Sequence, residues 1–139
     1  MNLPFQILEH PSDLGIEVYG RSLEDIFCNA AKGLIAVIAG TSHIEPSKKR
    51  NVTIDANNRE NLLVRWLSEV LFLFDTERFL IADIHMDFLH DNELKATVRG
   101  ERYQSTKHDL QVDVKAITYN KLTIEEHDDF WLARVFVDI

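Results

Sequence analysis

The chain has 139 residues, 45% of them hydrophobic, and carries 23 acidic against 15 basic side chains for a formal net charge of −8. That length and composition describe one globular domain over residues 1–139 with enough apolar mass for a real core. The acidic balance argues against a broad, non-specific grip on a nucleic-acid backbone, and a single cysteine, Cys28, allows neither an internal disulfide nor a thiolate metal cluster. The opening MNLPFQILEH lacks the basic and apolar regions of a signal peptide, and the apolar stretches are interrupted and helix-length at most. A cytoplasmic protein with no membrane span is expected.

Phe5 to Leu8 and Ile16 to Tyr19 read as strands joined by His10-Pro11-Ser12-Asp13-Leu14-Gly15. Pro11 fixes its own φ and biases His10 toward an extended backbone, and Gly15 permits angles that other residues resist. The connector therefore presents Asp13 on a stiffened turn, either as an Asx-turn residue or as a ligand. Ser22 opens a helix, with Asp25 in the capping-box position; Ile26, Phe27, Ala30, Ala31, Leu34, Ile35 and Ile38 keep helical spacing to a stop at Gly40. Cys28 lies off that stripe with no activating base beside it in sequence. Thr41 to Arg50 reads as a polar loop whose Lys48-Lys49-Arg50 run is a solvated patch or a phosphate contact. Asn51 to Ala56 alternates as a strand. A second helix, capped by Asn57 or Asn58, carries Leu62, Leu63, Trp66, Leu67, Val70, Leu71 and Phe74 toward the core and ends at Asp75-Thr76-Glu77.

From Arg78 the hydrophobic period becomes two. Leu80, Ala82, Ile84, Met86 and Phe88 fall on one face, turn at His90 to Glu93, and return as Leu94, Ala96 and Val98, which predicts a β-hairpin. Gly100 to His108 reads as loop, Leu110, Val112 and Val114 as a strand continued after a kink to Tyr119, and Leu122–Glu126 with Trp131–Val137 as a final hairpin. The fold class is α+β: two helices packed on a mostly antiparallel β-sheet in one compact domain.

No phosphate-binding glycine loop, nucleophile elbow or zinc spacing occurs, so no catalytic residue is assigned. The chain ends on an apolar strand followed by Asp138 and by Ile139, which carries the α-carboxylate. If the last strand lies beside the first, Asp13 meets them, and such oxygen ligands suit a hard divalent ion. The alternative is a solvated terminal residue. Lys115 interrupts an otherwise apolar strand face, as an anion contact or as a snorkelling edge lysine.

Several segments together resemble the archease family: His10-Pro11-Ser12-Asp13, the helix Leu62 to Asp75, Gly100-Glu101 with His108, Val114-Lys115-Ala116-Ile117-Thr118-Tyr119, and the ending Phe136-Val137-Asp138-Ile139. The matches run in order over nearly the whole chain. The resemblance implies an accessory protein of an RtcB-type RNA ligase in tRNA splicing and RNA repair. Such a protein promotes guanylylation and multiple turnover, meets RNA only through the ligase, and does not itself ligate. It also implies a divalent-metal site (calcium in the family; magnesium or manganese are the alternatives) on Asp13, Asp138 and Ile139, the last through main-chain oxygen. His10, Glu101, His108 and Lys115 become candidates for ligase contact or for orienting the site. Pro11-Ser12 departs from the family's Thr-Ala, and Asn120 stands where a histidine commonly follows the Thr-Tyr pair. The competing reading is a small metal-dependent phosphoesterase using the same carboxylates.

Overall fold

A computed structural model describes residues 4–9 and 13–139, so the predictions made for His10, Pro11 and Ser12 lie outside the described residues. The elements run β1 (Phe5–Glu9), β2 (Asp13–Gly20), α1 (Leu23–Ala39), β3 (Lys48–Asp55), α2 (Arg59–Glu77), β4 (Phe79–His90), β5 (Glu93–Arg102), β6 (Ala116–Glu126) and β7 (Trp131–Asp138). The strands form two antiparallel sheets, ordered β1-β2-β7-β6 and β3-β5-β4. Each helix packs against both sheets: α1 on β1, β2, β7 and β4, and α2 on β6, β3, β4 and β5. That arrangement explains the composition of α1, whose buried residues Ile26, Phe27, Ala30, Ala31, Gly33, Leu34, Ile35, Val37 and Ile38 go beyond the one-sided stripe of a surface helix.

The helix ends follow local chemistry. Ser22 Oγ accepts from the Asp25 N–H at 3.1 Å, and the Asp25 carboxylate reaches back to the Arg21 N–H at 2.9 Å. Gly40, at φ +62°, donates its N–H to Ala36 O at 2.8 Å and stops α1. For α2 the cap is Asn58, which accepts from the Asn61 N–H at 2.8 Å. The helices are tied together by Trp66, fully buried, whose Nε1–H donates to Phe27 O at 2.9 Å.

Four expectations change. The loop expected before Asn51 yields early, because β3 already starts at Lys48, and the loop expected from Gly100 begins only after Arg102. The face expected for Leu80 to Phe88 is broken by register shifts between Ile81 and Asp83 and between Met86 and Phe88, so Ile81 is buried where strict alternation would expose it. Residues 103–115 contain no strand despite the alternation of Leu110, Val112 and Val114. They form a strap bonded across other elements: Asp109 N–H to Ser42 Oγ at 2.9 Å, Gln111 N–H to Ile38 O at 2.8 Å, and Lys115 N–H to Asp138 O at 2.8 Å. Val114 is buried and Val112 packs on the core while Leu110 is exposed, so the period reports one packed side of an irregular segment.

Candidate functional site

Asp13 heads β2 and Asp138 closes β7. The β2–β7 register makes them direct partners, followed by Leu14 with Val137, Gly15 with Phe136, Ile16 with Val135 and Glu17 with Arg134. The partner strand is thus β2, the second strand, and the adjacency required for Asp13 is met there. Leu14, Ile16, Val18, Ala133, Val135 and Val137 are buried toward the helices, which assigns Asp13, Gly15, Glu17, Arg134, Phe136 and Asp138 to the opposite face. Directly opposed residues of an antiparallel pair hold their Cβ atoms about 4.5–5.5 Å apart on one face. Two carboxylates therefore sit side by side at the sheet end, with Ala116 of β6 as the other neighbour of Asp138.

Below this pair the face is closed by packing and by an ion pair. Gly15 lies in regular strand, and its value here is space rather than unusual φ: a Cβ would stand 2.8 Å from Cε2 of the Phe136 ring that covers it. Glu17 accepts from Arg134 Nε at 2.6 Å and from the Tyr19 hydroxyl. The tyrosine bond, then the arginine, hold the Glu17 carboxyl below its usual range. Arg134 is thereby committed to Glu17, and neither Asp13 nor Asp138 receives a side-chain hydrogen bond or ion pair among the described residues.

Ile139 follows Asp138 and is 39% exposed, outside the buried core. Among the described residues no group of three or more His, Cys, Asp and Glu side chains gathers as a metal cage. Two opposed carboxylates form an all-oxygen, incomplete donor set. Such a set fits a hard cation that keeps part of its water shell, and it does not fit zinc.

Glu101 and His108 are brought together, but not at the surface. Both are buried, with His108 Nε2 3.0 Å from Glu101 Oε2. His108 Nδ1 accepts from the Gln104 N–H at 3.0 Å, so Nε2 carries the proton that is donated to Glu101. The same carboxylate accepts from the Glu45 N–H at 2.8 Å and pairs with Lys107 Nζ at 2.8 Å. These partners hold the Glu101 carboxyl down to about 2, the Glu45 amide contributing most and Lys107 next. Burial removes both residues from direct contact with a partner protein. Their place is at the root of the strap, whose far end bonds Asp138 through the Lys115 N–H. Lys115 itself is exposed and stands just before β6 rather than within an apolar strand face.

Of the remaining groups, Cys28 is half-buried and its thiol is pushed up to about 11, chiefly by burial and then by Glu24, so it stays protonated at neutral pH. The Lys48-Lys49-Arg50 run opens an edge strand, where charge discourages edge-to-edge pairing; Arg50 is taken up by Glu77 at 2.8 Å and by the Phe79 ring at 4.9 Å. Sequence reading missed the Gly15–Phe136 platform, whose signal was the family ending itself. No helix among the described residues is long and apolar enough to cross a membrane.

The sequence matches the archease protein family over residues 5–139. Among curated relatives, protein archease of Pyrobaculum islandicum is 40% identical, covering 94% of this chain and 92% of its own, and protein archease of Sulfurisphaera tokodaii is 36% identical, covering 97% and 98%. Protein 1598 of Methanobacterium thermoautotrophicum, solved in solution, superposes with a TM-score of 0.82 at 34% identity over 98% of this chain and 99% of its own. A Thermotoga maritima crystal structure described as an archease, possible chaperone, shares the fold with a TM-score of 0.67 at 22% identity, over 100% of this chain and 98% of its own.

Proposed function

This chain belongs to the archease family, and on that footing we propose that it activates an RtcB-type RNA ligase through the carboxylate pair at the end of its first sheet. The family's members are accessory proteins rather than catalysts, and this chain is one of them. The observation that carries the reading is the register opposing Asp13 to Asp138, which brings together residues 125 positions apart in sequence. Asp13, Asp138 and the main-chain oxygen of Ile139 would hold a divalent ion, calcium or else magnesium or manganese, whose chemistry when bound is charge neutralisation at an oxygen-rich surface. The residues of the chain supply placement: β2 and β7 fix the two carboxylates, and the strap from Glu101 and His108 to Lys115 fixes the carbonyl of Asp138. His10, next to this end in sequence, belongs to the same proposal as an orienting or ligase-contacting residue. Work beside an RNA ligase, with contact to RNA only through it, makes the cytoplasm the site of action.

The test incubates the ligase with GTP, divalent metal and RNA ends, with and without this protein. The expected result is faster guanylylation and more turnovers of the ligase. Phosphate release by this protein alone would instead support the phosphoesterase reading, and RNA retention without the ligase would support an RNA-binding module.

A further inference from the structure

β3 is an open edge of the second sheet, and it pairs with β5 without a register shift, whereas β4 at the other edge is shifted twice. An even edge of this kind is a template for another strand. Ala56 N–H donates to Asn92 O at 2.8 Å, which sets the phase of the ladder. Val52 and Ile54 turn their backbone groups to β5, while Lys49, Asn51, Thr53 and Asp55 turn theirs outward. Two side-chain bonds agree, because the carbonyls of Lys49 and Asp55 accept from Arg50 at 2.9 Å and from Arg65 at 3.0 Å. Between these capped ends, the backbone groups of Asn51 and Thr53 face outward with no strand beside them among the described residues. The side chains of Lys49, Asn51, Thr53 and Asp55 share one face and are exposed. The charges on that face oppose their own kind: Lys49 stands directly across from Arg99 of β5, and Asp55 directly across from Glu93. Such like-charge pairs are destabilising. Beyond them in β4 lie Asp83 and His90, yet neither Lys49 nor Asp55 has an ion pair among the described residues. Beside the acidic end, Phe72 of α2 is 56% exposed and lines a groove with Thr53, Ile54 and Asp55.

We infer that β3 is an interface for a second copy of this chain, joined edge to edge about a two-fold axis at Val52. In that antiparallel register Asn51 of each copy exchanges a pair of backbone hydrogen bonds with Thr53 of the other, and the two small sheets become one. The same register sets Lys49 of each copy against Asp55 of the other on one face, with Cβ atoms about 4.5–5.5 Å apart. Each lysine, which has Arg99 on one side, gains a carboxylate on the other. Each aspartate, which has Glu93 on one side, gains an ammonium. The strand is therefore complementary to itself, and this selects a second copy as the occupant. A parallel pairing in register would set Lys49 against Lys49 instead, so the edge charge that discourages indiscriminate pairing is satisfied in the two-fold arrangement. One strand edge buries little surface, so the association is weak and depends on concentration. It stands independently of the ligase reading.

The experiment is sedimentation velocity of the full chain over a concentration series, with wild type, Lys49→Glu, Asp55→Lys, the chain carrying both changes, and an equimolar mixture of the two single variants. Wild type is expected to pass from monomer to dimer. Each single variant puts like charges together at both ends of the joint, and its dimer dissociation constant should rise about tenfold or more. The doubly changed chain and the mixture restore opposite charges at both ends and should return to the wild-type value. The restoration separates the inferred register from simple damage to the strand, since a misfolded variant would not recover on mixing. A wild type that stays monomeric throughout, equal dimerisation of all the proteins, or failure of both combinations to restore it overturns the inference. A monomeric wild type whose Asn51 and Thr53 amide signals shift on addition of a peptide of alternating Glu and Val also overturns it, and assigns the edge to a different protein.

Discussion

Replacing Glu101 by Gln is expected to lower the unfolding free energy at neutral pH by about 2–3 kcal/mol, the range for buried hydrogen bonds to a charged group. The carboxylate accepts from the Glu45 N–H, from His108 Nε2 and from Lys107. With its oxygen at the Oε2 position an amide keeps the Glu45 and His108 bonds, but without the charge, and its NH2 group then faces Lys107 Nζ and the Gln104 amide, which donate to Oε1 at 3.0 and 3.4 Å. Lys107 is a third exposed, so its share of the loss is screened. The same group sets a pH dependence whose sign is fixed by the direction of its shift. The folded carboxyl is depressed from 4.5 to about 2. Its stabilising contribution is thus complete above about 4.5 and is lost as pH falls toward 2, where the folded form is protonated as well. Denaturant midpoints measured from pH 6 to pH 2 should fall for wild type through this window and fall less for Glu101→Gln. Parallel curves would show that Glu101 is not the titrating group.

Gly100→Ala is expected to cost about 3 kcal/mol, at the upper end for overpacking a rigid site. Gly100 of β5 is flanked by Lys48 of β3 and Ile81 of β4, and a Cβ there would stand 1.8 Å from the carbonyl oxygen of Leu80. That neighbour is backbone in a central sheet position and cannot swing aside as a side chain does. Relief requires parting β4 from β5, next to Glu101 and the root of the strap. Thermal unfolding of the variant against wild type measures the effect. A shift matching an ordinary surface substitution, within about 0.5 kcal/mol, would contradict the packing described.

Features set by near neighbours were legible in the sequence, and features set by long-range register were not. Hydrophobic period and capping residues identify α1, α2 and the hairpins, because each depends on neighbours within a few residues. The opposition of Asp13 and Asp138 is a long-range register. The apolar ending Val135 to Val137 implied a buried last strand, and the family resemblance paired the two carboxylates, but only the sheet order shows that β7 lies against β2. Glu101 and His108 were legible as residues and not as a buried pair, since the amide that contributes most to holding the carboxylate belongs to Glu45, 56 positions away. The alternation of Leu110 to Val114 read as a strand because one-sided packing has period two whether or not a ladder forms. Bulges erase the register on which alternation depends, which is why the faces of β4 were not readable.

On the function proposed above, the carboxylate pair serves ligase activation rather than folding. Asp13 is partly exposed, and its side chain has no partner among the described residues, so Asp13→Ala should unfold within about 0.5 kcal/mol of wild type. The most direct measurement is the rate of ligase guanylylation with wild type and with Asp13→Ala, under matched metal and GTP. Loss of stimulation by more than about tenfold in a folded variant is predicted, above the low end for disturbing even a group that supports a metal ligand. Full stimulation by Asp13→Ala would contradict the account.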